Sequence, residues 1–180
     1  MAATPTPVRS PADILPEWRD TPVADLLAAV NLGTAPAVAA RPAILVARCW
    51  EDQAPLGLPP GFALELRAPG AVLKRSAFDV SWAIAEAGVR AIAVVGHDDC
   101  GLVGLRGRRE DFVARLVAVA GWERPAAEQH FDHWSDLVEV ADPAEAAVAE
   151  ARRLRLRYPG IPVAPLLRRS ADGVLLQLTG

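Results

Sequence analysis

The chain has 180 residues, 52% of them hydrophobic, and a formal net charge of -3. That length favours one domain around one core, and the apolar content excludes a disordered chain. Positive charge is nearly all arginine, Lys74 being the single lysine, and no basic stripe is present, which argues against nucleic acid as a partner.

Residues 1–14 read as an N-terminal arm, loose over 1–12 where Pro, Ala and Thr dominate, ahead of a single domain over 15–180. The arm has no apolar secretory core and no stretch is long enough to span a membrane, so a cytoplasmic location is expected. "TPVADLLAAVNLG" offers Thr21 as N-cap, Pro22 at the first helical position and Gly33 past the end. "PAILVARC" is a continuous apolar run and reads as a buried strand; "FALELRAPG" alternates and reads as a second. "KRSAFDVSWAIAEAG" has helical spacing and stops at Gly88, and "VRAIAVVGH" is a third strand. "REDFVARLVAVAGW" is a helix, as is "DPAEAAVAEARRLRLRYPG", with Asp142 as its cap and Pro143 behind it. "IPVAPLLRRSADGVLLQL" reads as strand, turn and strand, with Asp172-Gly173 at the turn. Strands alternating with helices predict an α/β fold: a central, mostly parallel sheet flanked by helices, with an antiparallel C-terminal edge hairpin.

Ligands gather at the carboxyl ends of strands in such sheets. One apolar strand ends at Cys49 in "VARCWEDQ", and another at His97 and Cys100 in "GHDDC". If the two strands are neighbours, two thiols and an imidazole converge, a set that suits zinc. The glycines of 96-GHDDCG-101 let the backbone turn so that both side chains face one ion. Two readings stand beside this one. Free cysteine often simply packs in a core, and a cysteine activated by His97 would be a nucleophile without a metal. "HFDHW" sets His130 and His133 three apart around Asp132, a second metal candidate if they share a helix face.

Cys49 followed by "GHDDCG" resembles the β-class carbonic anhydrases, and the resemblance runs over roughly residues 15–178. It includes "NLG", the stretch "RAPGAVLKRSAFDVSWAIAEAGVRAIAVVGHDDCG", and the C-terminal helix and hairpin. It implies zinc held by Cys49, His97 and Cys100, one ion per subunit, in a homodimer or larger homo-oligomer. It further implies a fourth position with water acidified by the metal to supply hydroxide, which attacks carbon dioxide to give bicarbonate.

The resemblance breaks next to Cys49. The family pattern Cys-x-Asp-x-Arg is here Cys49-Trp50-Glu51-Asp52-Gln53. In the family the carboxylate orients the water, and the arginine holds the carboxylate off the metal through a charge-assisted pair. Gln53 brings no charge, and Glu51 is one methylene longer. Either Glu51 acts as the orienting carboxylate, or Glu51 or Asp52 fills the fourth position and closes the site. Trp50 either caps the site or packs against the core or a partner subunit. The loop that the family writes Arg-Asn-Ala-Gly-Asn has become Arg67-Ala68-Pro69-Gly70-Ala71. Two functions follow: a zinc lyase interconverting carbon dioxide and bicarbonate, or a weak or inactive zinc-binding paralogue with a structural or regulatory role.

Overall fold

A computed structural model describes residues 3–37 and 40–179. Its centre is a six-stranded sheet in the order β1-β6-β5-β4-β2-β3. The strands are β1 (Thr4–Pro7), β2 (Ile44–Arg48), β3 (Ala63–Arg67), β4 (Ala91–His97), β5 (Val163–Arg168) and β6 (Leu175–Thr179). β3, β2, β4 and β5 run parallel, while β6 and β1 are antiparallel to their neighbours. The helices are α1 (Pro22–Leu32), α2 (Ala77–Trp82), α3 (Arg109–Ala120), α4 (Arg124–Val138) and α5 (Pro143–Arg157). The expected α/β architecture is therefore present, with the C-terminal hairpin of β5 and β6 in place.

The central strands are apolar throughout because both faces are covered. Side chains alternate between the two layers. Ile44, Val46, Ala91, Ala93 and Val95 join α1 and Trp18 on one face. Leu45, Ala47, Ile92 and Val94 join α2 and α5 on the other. The Thr21 hydroxyl accepts from the Val23 amide at 3.2 Å to start α1. The Asp142 carboxylate accepts from the Glu145 amide at 2.9 Å to start α5. Gly96 lets α5 come close to β4: a Cβ there would sit 2.7 Å from the Pro143 carbonyl oxygen.

Three expectations change. The arm is not loose over its full length: Thr4–Pro7 pairs with β6 from Pro7↔Leu176 to Thr4↔Thr179. Pro5 and Pro7 are tolerated because β1 is an edge strand, where a missing N–H costs no ladder bond. β6 is thus an inner strand. Helix α4 was not anticipated, because its buried stripe of Ala127, Phe131 and Ser135 contains one large apolar residue. α4 instead packs on α3 through Val113, Ala127 and Phe131, with Arg109 donating to both oxygens of Asp132 at 2.7 and 2.8 Å. The helix that begins at Ala77 widens into a π-type turn over Ala83–Ala87 before Gly88.

Sheet topology creates the crevice. β2 and β4 are neighbours, yet the chain leaves β2 toward β3 on one side and reaches β5 from β4 on the other. Such a switch point opens a gap at the strands' carboxyl ends. Cys49 follows β2 directly, and His97 is the last residue of β4. No helix among the described residues is long and apolar enough to cross a membrane.

Candidate metal centre

Cys49, Glu51, His97 and Cys100 meet in this crevice, each offering a ligand atom within 4.8 Å of the other three. Cys49, His97 and Cys100 are buried, whereas Glu51 reaches in from an exposed position. Among the described residues no other such cluster of His, Cys, Asp and Glu exists.

Local structure aims each group. The His97 ring meets Asp99 Oδ1 through Nδ1 at 2.6 Å, and Ser170 donates its hydroxyl to the same oxygen. The other ring nitrogen, Nε2, is buried and has no hydrogen-bond partner. A buried ring nitrogen rarely goes unpaired. A carboxylate on one nitrogen with the other left free is how a metal-ligating histidine is fixed. The Glu51 carboxylate accepts from the Gly101 amide at 2.7 Å and lies 3.9 Å from Cys100 Sγ. Gly101 makes room for it: a Cβ there would lie 2.6 Å from Glu51 Oε1.

Electrostatics match a site built around a cation. The Cys49 pKa is lowered to about 4, first by the neighbouring Cys100 thiol and then by His97 and the amides of Glu51 and Gly70, against the effect of burial. The Cys100 thiol is pushed far up, chiefly by the Cys49 thiolate and then by burial. His97 is raised to about 9, mainly by the Cys49 thiolate, with Asp99 adding to it and burial opposing. A thiol with a lowered pKa thus lies buried beside an imidazole with a raised one, and one divalent ion would take the place of their protons.

The donor set fits zinc. Two soft sulfurs, a borderline imidazole with an orphaned nitrogen and a hard carboxylate are all donor types that zinc accepts, in the right number. Tetrahedral zinc with bonds of about 2.0–2.3 Å sets its donors roughly 3.3–3.8 Å apart, so the four groups need only close slightly.

The other anticipated residues lie elsewhere. Asp52 is buried but is not a donor: Oδ2 accepts from Arg48 Nη2 at 2.7 Å and Nε at 3.2 Å, and Oδ1 from Arg168 Nη1 at 3.1 Å. Its charge is taken up by guanidinium groups, which is why it does not turn to the metal position. Gln53 is exposed and donates its amide to the Trp50 carbonyl, so it does not hold Glu51. Trp50 is half exposed, which a core-packed residue is not. Arg67 donates to the main-chain carbonyls of Cys49 and Asp52 and to Glu65, serving the loop rather than the crevice. His130 and His133 share the α4 surface but turn to indoles, with ring centroids 5.0 Å from Trp122 and 4.7 Å from Trp134 respectively.

Arg48, Asp99, Arg168 and Ser170 were not anticipated. Arg48 left a trace in the sequence, a charge at the end of the apolar run "ILVAR" and fully buried in the fold. Arg168 and Ser170 are brought to the crevice by β5 and its turn, where Arg168 pairs in register with His97.

No protein-family model matches the sequence, and no curated protein matches it. Solved structures do. β-Carbonic anhydrase isoform I of Trichomonas vaginalis aligns with TM-score 0.62 and 22% identity over 81% of this chain and 88% of that one. Carbonic anhydrase from Streptococcus mutans aligns with TM-score 0.60 and 19% identity over 84% and 92%. A carbon disulfide hydrolase aligns with TM-score 0.52 and 20% identity over 85% and 84%. The strand order, the crevice between β2 and β4 and these alignments agree: the chain has the β-carbonic anhydrase fold, in a divergent form.

Proposed function

We propose that this is a zinc-binding protein in which Cys49, His97 and Cys100 hold the ion and Glu51 closes the fourth position. Hydration of carbon dioxide to bicarbonate is then the chemistry of the site when Glu51 withdraws. The observation that carries this reading is the Glu51 carboxylate, pinned by the Gly101 amide among the other three ligand atoms. Held by Cys49, His97 and Cys100, zinc would supply a Lewis acid able to make water more acidic. The chain's own residues do the rest. Asp99 and Ser170 orient the imidazole, the buried wall around Cys49 excludes solvent, and Glu51 controls whether a small molecule enters. Unlike an aspartate paired with arginine, Glu51 has no cation holding it away from the thiols.

A second reading keeps the protein as a resting-state carbonic anhydrase, with Glu51 as the orienting carboxylate. It is favoured by the carbonic anhydrases among its structural neighbours. Stopped-flow hydration on zinc-loaded protein separates the two. The closed-site reading expects little rate in the wild type at pH 7 and pH 9, and a higher rate when Glu51→Asp is combined with Gln53→Arg. A fast wild type, or a double variant no faster than it, would contradict closure. Assembly as a homodimer or larger is part of the proposal, and light scattering measures it.

A further inference from the structure

The expected pairing of Glu51 with position 53 is absent, yet a carboxylate–arginine cluster exists one residue away. Asp52 lies between two arginines from different strands. Arg48, at the end of β2, is fully buried; Arg168, at the end of β5, is 8% exposed; Asp52 is 5% exposed. The cluster continues into the turn after Cys49. Arg48 Nη2 also donates to the Ala54 carbonyl at 2.6 Å, and Arg67 from β3 donates to the Asp52 carbonyl and, at 3.3 Å, to the Cys49 carbonyl. Arginines from three strands therefore grip the turn over 49–54, two through its main chain and two through the Asp52 side chain. Glu51 sits in the middle of that turn, and its carboxylate accepts from none of them.

We propose that Asp52 is a positioning residue: clamped by Arg48 and Arg168, it fixes the turn so that the neighbouring Glu51 carboxylate points at the thiols. The inference rests on the reading that Glu51 closes the metal site. Three features support it. Neighbouring side chains on an extended or turning backbone point in different directions, so anchoring Asp52 inward to the arginines sets the direction left for Glu51. Bidentate and charge-assisted bonds define geometry more sharply than neutral ones, and Asp52 makes three. Gly101 then leaves a gap only where Glu51 arrives. Glu51 itself has one hydrogen bond of ordinary length, from the Gly101 amide. That single anchor on an exposed side chain needs a fixed turn beneath it.

The cluster also links the site to the sheet. Arg168 is opposite His97 in the β4–β5 register, so the residue clamping Asp52 is adjacent to the strand position that presents the imidazole. Arg168 Nε is buried without a partner, so the arginine is held by Asp52 and not by a rival acceptor on that nitrogen.

The test uses cobalt(II)-loaded full-length protein titrated with thiocyanate, read by the cobalt visible spectrum, with thermal unfolding in parallel. Wild type, Glu51→Gln, Asp52→Asn and Arg168→Gln are compared. A closed site resists the anion. Glu51→Gln opens it directly. If Asp52 aims Glu51, then Asp52→Asn and Arg168→Gln, with Glu51 intact, tighten thiocyanate binding at least about tenfold, as follows when the competent fraction rises by that factor. Adding Asp52→Asn to Glu51→Gln then changes thiocyanate binding no further. Lowered unfolding temperatures alone, with thiocyanate binding unchanged from wild type while Glu51→Gln binds it, would overturn the positioning role and leave closure by Glu51 standing. Wild type binding thiocyanate as well as Glu51→Gln does would overturn closure and the positioning role together. Should Asp52→Asn fail to fold, Arg168→Gln decides, because it leaves the Arg48–Asp52 pair in place.

Discussion

The carboxyl ends of β4 and β2 face each other across one crevice, and they are built on different principles. The β4 end is a set of donors with local support. His97 and Cys100 lie on a short glycine-flanked turn, and Asp99 and Ser170 orient the imidazole. The β2 end carries Cys49 and then a turn whose shape is set from outside, by arginines from β2, β3 and β5. On the proposed reading, the first arrangement supplies the metal ligands and the second decides whether a fourth position stays open. A family pattern that places both tasks on one Asp-x-Arg unit is here split between Glu51, which reaches the donors, and Asp52, which holds the arginines.

Removing the clamp should have the largest effect on stability. Asp52→Ala leaves Arg168 buried without a counter-charge and Arg48 with only Glu65 at 3.4 Å, and breaking such a buried pair costs about 3–5 kcal/mol. Urea denaturation of metal-free protein measures it; a loss below 1 kcal/mol, within the range of exposed ion pairs, would show that the cluster is not structurally important. The β4 end should respond through metal affinity instead. Asp99→Asn should weaken zinc binding roughly 10–100-fold, since it removes the carboxylate orienting His97, and should lower metal-free stability only in part, because the Cys49 thiol remains the larger cause of the raised His97 pKa. Competition with a chelator of known affinity reports this.

Acidity sharpens the same contrast. Cys49 is already a thiolate above about pH 4, but His97, raised to about 9, is protonated at neutral pH, and the Cys100 thiol keeps its proton. Zinc must displace both protons. Its affinity should therefore rise with pH, by up to about a hundredfold per unit, until the pH passes that of His97. A pH-independent affinity between pH 6 and pH 8 would show that the ion does not take both groups. In the metal-free protein the sign is opposite. The raised His97 pKa stabilises the fold at pH values below its unfolded one, and this contribution is lost as pH rises through about 9.

Gly101→Ala is a smaller probe of the β2 end. Its Cβ would meet Glu51 Oε1 at 2.6 Å, so the carboxylate must move, and zinc-loaded protein should bind anions more readily while unfolding only slightly earlier. The smallest effect is expected at Ala71, which is buried and holds a positive φ of 61°. Ala71→Gly removes the steric cost of that conformation and should change stability by no more than about 1 kcal/mol, in the stabilising direction. Thermal unfolding measures both.

The legible parts of the sequence were those where one physical requirement dominates. β2 and β4 are apolar at every position up to their ends because helices cover both faces, and the caps at Thr21 and Asp142 announce α1 and α5. Cys49, His97 and Cys100 were legible as donors, and their meeting followed once β2 and β4 proved to be neighbours. What could not be read depends on long-range pairing. Helix α4 buries a stripe too weak to show a period, and Thr4–Pro7 becomes a strand only because β6 offers an edge. Most of all, the partners of Asp52 come from Arg48 four residues earlier and Arg168 far along the chain, so the turn "CWEDQ" shows a lost arginine where the fold supplies two. The sequence left open which carboxylate turns to the metal; in the fold Glu51 lies among the donors and Asp52 among arginines.

The measurement that bears most directly on this account is a crystal structure of the zinc-loaded protein, read at the fourth position of the ion. The account predicts a Glu51 carboxylate oxygen bonded to zinc beside Cys49, His97 and Cys100, with Asp52 still between Arg48 and Arg168. A water in that position, with Glu51 turned out to solvent, would contradict it.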